Sequence, residues 1–285
     1  MEISTDLVRT LVSDQFPQWG DLEVRPVPVQ GNDNRTFRLG EDLAVRLPSA
    51  EGYVAGIAKE DAALPVLARH LATPVPEPVA TGAPGRGFAW PWSVRRWLDG
   101  VAPDDDPALD RVRFAHDVGD FLRELRAAPS GEGPLAGQHS FHRGRHPSVY
   151  AAEALVTLAG SVDVAACRAI WDDAVASRWS GQPVWFHGDV AVGNLLVHDG
   201  RLAAVIDFGT CGTGDPACDL VLAWTFLRGE AERRAFAAAV DLDPDTWRRA
   251  RGWALWKALV TVLDPEPRPS LDVQRAALAE LLAEV

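Results

Sequence analysis

The stretch "VWFHGDVAVGNLLVHDGRLAAVIDFG", residues 184–209, constrains this chain more than any other. It holds two short β segments, "NLLVHD" and "LAAVIDF", joined by Asp199-Gly200. Asp-Gly between apolar runs is a strong hairpin signal, because both turn positions need a positive φ. The surroundings are helical. In "PALDRVRFAHDVGDFLRELRAA" apolar residues recur at helical intervals, at Leu109, Val112, Val118, Leu122 and Leu125. "PSVYAAEALVTLAG" and "CRAIWDDAVASRW" continue as helices, and helices return from Pro216 to the end. A hairpin set among helices brings its two ends together. Asn194 lies at one end, Asp207 at the other, and Asp189 reaches the same spot through the intervening loop.

Two aspartates and an asparagine around one point make an oxygen-rich site. Such donors suit Mg²⁺, which takes few protein ligands and keeps waters and phosphate oxygens for the rest. An Asp left over can accept a proton from a hydroxyl nucleophile. A metal clamp and a base are what phosphoryl transfer requires. His187 reads as a packed, hydrogen-bonded scaffold residue. Asp215, in "GDPACDL", reads as a helix N-cap with Pro at the first helical position.

"HGDVAVGN" and "VIDFG" resemble the catalytic and metal-binding motifs of the aminoglycoside phosphotransferase family, whose members share the protein-kinase-like fold. The Asp-to-Asn spacing matches the kinase catalytic loop. The resemblance covers nearly the whole chain. It implies Asp189 as catalytic base and Asn194 and Asp207 as Mg²⁺ ligands. It also implies that Asp215 braces the catalytic loop, with Asp219 as a second brace. Many relatives read H-G-D-L-H-P-G-N, and here Ala191 and Val192 stand in the His-Pro positions.

The first ~95 residues read as a small, mostly antiparallel sheet with one prominent helix. "LEVRPVPV" and "LAVRLP" are strands, "GNDNRTFRLGED" is a turn around a short alternating segment, and "FAWPWSVRRWLDG" is strand, strand, turn. "VAGIAKEDAALPVLARHL" is the helix, with a bend or first turn at Pro65, and "ATPVPEPVATGAPG" is an extended connector. The expected fold is therefore α+β and kinase-like. Residues 1–92 form a nucleotide-binding lobe, 93–98 a hinge, and 99–285 a larger helical lobe for catalysis and acceptor binding. The resemblance places a phosphate cover at Gly31, Asn32 and Asn34, and a cation at Arg46 where many relatives have Lys. It pairs Glu60 with that cation, in preference to a role for Lys59. Arg96 and Trp97 mark the hinge, whose backbone would meet adenine. The implied cofactors are ATP, with GTP open, and Mg²⁺.

Composition narrows the partners. A net charge of -12 argues against nucleic acid, and no apolar run approaches the ~20 residues of a membrane span. The N-terminus lacks a secretory pattern, and Cys167, Cys211 and Cys218 read as reduced thiols, so a cytoplasmic enzyme is expected. Oligomeric state is open. The acceptor is a small-molecule alcohol. Family and acidity point to a cationic aminoglycoside bound by residues such as Glu230, Glu232, Asp264 and Glu266. Macrolides, amino alcohols and sugars are the alternatives, as is a nucleotide-binding protein without turnover. Trp253 and Trp256, three apart on one helix face, read as core. Lys59 and Lys257 are the only lysines, which limits where a catalytic lysine could stand.

Overall fold

The computed structural model describes residues 3–31, 33–131, 133–161, 163–266 and 268–285. It divides into two compact units, Met1–Gly100 with Ala204–Gly209, and Val101–Ala203 with Thr210–Val285.

The first unit is built on a five-stranded antiparallel sheet. Its strands are β1 (Val24–Pro26), β2 (Asn34–Leu39), β3 (Leu43–Pro48), β4 (Pro78–Gly82) and β5 (Trp92–Arg96), in the order β1-β2-β3-β5-β4. Every residue of β3 is buried, so both faces of the central strand are covered. Side chains alternate along a strand. Leu43, Val45 and Leu47 enter an apolar cluster with Phe37, Leu39, Trp92 and Val94, closed by Val8, Leu11 and Val12 of helix α1 (Thr5–Gln15). Ala44, Arg46 and Pro48 therefore point to the opposite face. Arg46 pairs in register with Ser93 on one side and Thr36 on the other.

Helix α2 (Val54–Leu67) buries Ile57, Glu60, Leu64 and Leu67, a stripe spaced 3, 4 and 3. An acid thus occupies a position in the stripe where an apolar residue is expected. Pro65 does not make a first turn. It lies in the last turn, where its missing N–H removes only the bond to the Asp61 carbonyl. The stretch expected as a connector contains β4, an edge strand with an irregularity between Pro78 and Ala80, and edges tolerate proline. "FAWPWSVRRWLDG" makes one strand rather than two, and residues 93–96 of the expected hinge belong to it.

The second unit holds α3 (Arg111–Ala127), α4 (Ala151–Ala159), α5 (Val164–Ala176), α6 (Leu222–Thr225), α7 (Glu230–Val240), α8 (Pro244–Val262) and α9 (Leu271–Ala283). The remaining short strands are β6 (Val184–Phe186), paired with β9 (Gly212–Gly214), and β7 (Leu195–His198), paired with β8 (Arg201–Val205). The β7–β8 turn has Asp199 at φ 50° and Gly200 at φ 75°, the double positive φ that the Asp-Gly signal implies. The helix expected from Pro216 begins as a 3₁₀ segment, Pro216–Val221, before α6. Helices α3 and α7 approach closely at Gly119, where a Cβ would lie 2.5 Å from that of Ala239. Among the described residues no helix is long and apolar enough to cross a membrane. The three cysteines are buried.

Candidate active site

In the first unit the chemistry gathers on the sheet face opposite the apolar cluster. Glu60 is fully buried. Its Oε1 accepts from Arg46 Nη1 at 2.9 Å and lies 3.1 Å from Arg95 Nη1. Arg46 Nη2 donates to Asp207 Oδ1 at 2.9 Å, so one guanidinium spans two carboxylates. Arg95 is anchored by Ser93 Oγ at 2.9 Å and by Asp61 Oδ1 at 3.2 Å. Burial alone would raise the Glu60 carboxyl, but Arg46 and Arg95 hold it down at about 2. The same two carboxylates raise the Arg46 guanidinium against the burial that opposes its charge. Asp207 lies two residues past β8, in the left-handed region at φ 64°. No bond to its second carboxylate oxygen is present among the described residues, and its side chain is 36% exposed.

Of the remaining residues expected here, Asn34 opens β2 on the Arg46 face, is buried, and has no donor for its Oδ1 among the described residues. Gly31 accepts from the Arg35 guanidinium through its carbonyl. Asn32 lies outside the described residues. The amides of Arg96 and Trp97 are engaged within this unit, with the Glu77 and Asp42 carbonyls at 2.9 and 2.8 Å.

In the second unit the loop after β6 carries His187, Gly188 and Asp189. Asp219 is buried and accepts from the His187 amide at 2.8 Å and the Gly188 amide at 2.7 Å. Thr210 Oγ1 donates to the His187 carbonyl at 2.9 Å. Gly188 has φ 85°, and a Cβ there would meet the Thr210 carbonyl at 2.9 Å, so this turn requires glycine. His187 is fully buried and its Nδ1 accepts from the Asp189 amide at 3.2 Å, a scaffold contact. The bracing expected of Asp215 falls to Asp219. Asp215 caps the 3₁₀ segment at the Ala217 amide and pairs with buried Arg249, Oδ2 to Nε at 2.6 Å. Both its oxygens are therefore engaged away from the loop.

Asn194 closes the loop on itself. Its Nδ2 donates to the Asp189 carbonyl at 2.9 Å and to Asp189 Oδ2 at 3.2 Å. The other carboxylate oxygen, Oδ1, lies 3.2 Å from Lys257 Nζ of α8. Burial would raise the Asp189 carboxyl, but Lys257, then Arg143 and His187, lower it below the usual range, so it is ionised at neutral pH. A pocket opens beside it, lined by Arg143, Val190, Val221, Trp253, Trp256 and Lys257. The two tryptophans are core, at 2% and 9% exposure, and their remaining surface faces this pocket. Of the four acidic residues singled out for a cationic acceptor, three are engaged elsewhere. Glu230 pairs with Arg234, Glu232 with Arg111, and Asp264 with Arg268.

Arg95, Lys257 and Arg143 were not foreseen. The scarcity of lysine was the one signal for Lys257. Arg143 lies in a loop with no motif, and Arg95 looked like an ordinary strand residue.

A model of the phosphotransferase enzyme family matches residues 23–283. No curated protein matches the chain. Among solved structures the fold is similar to the GDP complex of wild-type aminoglycoside 2'-phosphotransferase-IIIa, with TM-score 0.72, 19% identity, and 99% of each chain covered. It is similar to the apoenzyme of a macrolide 2'-phosphotransferase from Brachybacterium faecium, with TM-score 0.63, 22% identity, and 96% of this chain and 97% of that one covered. The streptomycin–ATP–APH(2″)-IIa ternary complex is similar at TM-score 0.63 and 16% identity, over 99% of this chain and 97% of that one.

Proposed function

The chain belongs to the phosphotransferase enzyme family and is a small-molecule kinase, and from that premise we propose that it moves the γ-phosphoryl group of ATP onto a hydroxyl of a small organic acceptor. The observation that carries this reading is the setting of Asp189. It is ionised, a third exposed, held on one oxygen by Asn194 and on the other by Lys257, and it faces a pocket. A carboxylate fixed in this way can orient a hydroxyl and take its proton as the bond to phosphorus forms.

The first unit would take the nucleotide, with Arg46 as the cation on the phosphate side and Glu60 fixing its direction. Asn34 and Gly31 would cover the phosphates. Asp207 and Asn194, placed at the two ends of the β7–β8 hairpin in sequence, would be the oxygen donors for Mg²⁺. The residues fit that ion. Asp207 keeps one carboxylate oxygen without a partner among the described residues, and Asn194 uses its NH₂ group on Asp189, which leaves a carbonyl oxygen. No cluster of three or more His, Cys, Asp or Glu side chains suited to a metal occurs among the described residues, so phosphate and water would complete the shell. A bound ion would supply positive charge to offset that gathering on the phosphoryl oxygens.

Calorimetric titration with ADP, with and without Mg²⁺, tests the metal assignment. Asp207→Ala should lose the Mg²⁺-dependent part of the affinity, and Asn194→Ala should weaken it. Unchanged metal dependence in both variants refutes the assignment. Parallel titrations with GDP decide the nucleotide. Aminoglycosides and macrolides, which the names of similar structures raise, are the first acceptors to assay.

A further inference from the structure

The pocket beside Asp189 has an electrostatic character that bears on the acceptor. Two cations line it, Lys257 and Arg143. Lys257 is neutralised by Asp189 at 3.2 Å. Arg143 is half-buried, yet its guanidinium has no ion pair and no hydrogen bond among the described residues. Two ring faces lie close to it, with the guanidinium carbon 5.7 Å from the Phe141 centroid and 5.9 Å from that of Trp256. Trp256 is itself fixed, stacked on Tyr150 at 4.1 Å and donating from Nε1 to Glu153 at 2.7 Å.

Ring faces favour a cation but leave all five guanidinium N–H donors without an acceptor. A planar fork lining a pocket matches a carboxylate or phosphate, which it can hold by two parallel bonds. A polycation entering the same pocket would meet Arg143, Lys257 and one carboxylate that is already paired. Like charges brought together in a half-buried site repel.

Resting on the kinase reading above, we propose that Arg143 makes this pocket a site for an alcohol that carries an anionic group beside an apolar or aromatic face, and that it turns away polycationic acceptors. The oxyanion on Arg143 belongs to the acceptor, not to the phosphoryl group in transit.

The test needs no turnover. The protein, saturated with ADP to fill the nucleotide site, is titrated with benzoate and with benzamidine, an aromatic anion and an aromatic cation of similar shape. Tryptophan fluorescence and calorimetry report binding. Benzoate should bind at least about ten-fold more tightly, the size of one charge-assisted contact. Arg143→Gln should erase that preference and Arg143→Lys should restore part of it, with thermal melting showing that both variants fold. Equal or tighter binding of benzamidine, binding of neither probe, or a benzoate preference that survives in Arg143→Gln would each overturn the proposal. So would a loss in Arg143→Gln confined to ATP relative to ADP, which assigns the contact to the phosphoryl group. Mg²⁺-dependent turnover of ATP, assayed separately, shows whether the kinase reading itself stands.

Discussion

Glu60 has no contact with solvent and two guanidiniums on one oxygen. Removing one partner of a buried charge group leaves the others uncompensated, which costs roughly 3–5 kcal/mol. Glu60→Gln should therefore destabilise the protein by about that amount at neutral pH. The pH dependence follows from the carboxyl, held at about 2 against an ordinary 4.5. A depressed folded-state value stabilises above the unfolded value and is lost as pH falls through the folded one. Denaturant melts should show a constant gap between wild type and Glu60→Gln above pH 4.5, closing by about 3 kcal/mol as pH falls to 2. A gap that persists to pH 2 contradicts the ion-pair account. Arg46 reaches Glu60 and Asp207 with separate nitrogens, and the point charge of a lysine cannot reproduce that fork. Arg46→Lys should lose about 1–2 kcal/mol of stability and part of the ADP affinity, measured by melts and calorimetry. The residues legible in the sequence were those that a short motif or a strand-and-helix pairing ties together. Asp189 and Asn194 lie in one loop, and the family resemblance pairs Arg46 of one strand with Glu60 of the next helix. Lys257 reaches Asp189, 68 residues away, and Arg143 lines the pocket beside it, only through the packing of α8 and a loop, and no local pattern encodes that packing.

Elements with a full amphipathic period or a turn dipeptide were readable in advance. Helix α3 alternates over 17 residues, and the Asp199-Gly200 turn needs two positive φ values that few other pairs supply. Helix α1 was not foreseen, although Ser4 caps it at the Leu7 amide and Val8, Leu11 and Val12 share a face. Strand β4 was hidden by prolines that an edge position tolerates. Close approach of helices leaves a weaker trace, a single glycine inside a helical run. Gly119 is such a case, because α7 passes too near for a side chain. Gly119→Ala gains in helix propensity but drives its methyl into Ala239 and the Phe236 carbonyl. Overpacking of this kind costs about 1–3 kcal/mol. The expected outcome is a lower melting temperature with the helical circular dichroism intact. An unchanged or raised melting temperature contradicts the packing described here.

At the scale of the whole molecule, the division of labour proposed here gives nucleotide binding to the first unit and acceptor activation to Asp189 in the second. The two should then be separable by mutation. Asp189→Asn removes the proton acceptor while keeping a side chain of the same size, and Asp219, which holds the loop, is untouched. Loss of a general base costs about 10²- to 10⁴-fold in rate. The most direct measurement is the rate of Mg²⁺-dependent phosphate release from ATP, water serving as acceptor, in wild type and Asp189→Asn side by side, with ADP affinity measured on the same samples. The account predicts slow release by the wild type, a fall of at least about 100-fold in the variant, and equal ADP affinity in both. Release by Asp189→Asn at the wild-type rate would contradict it.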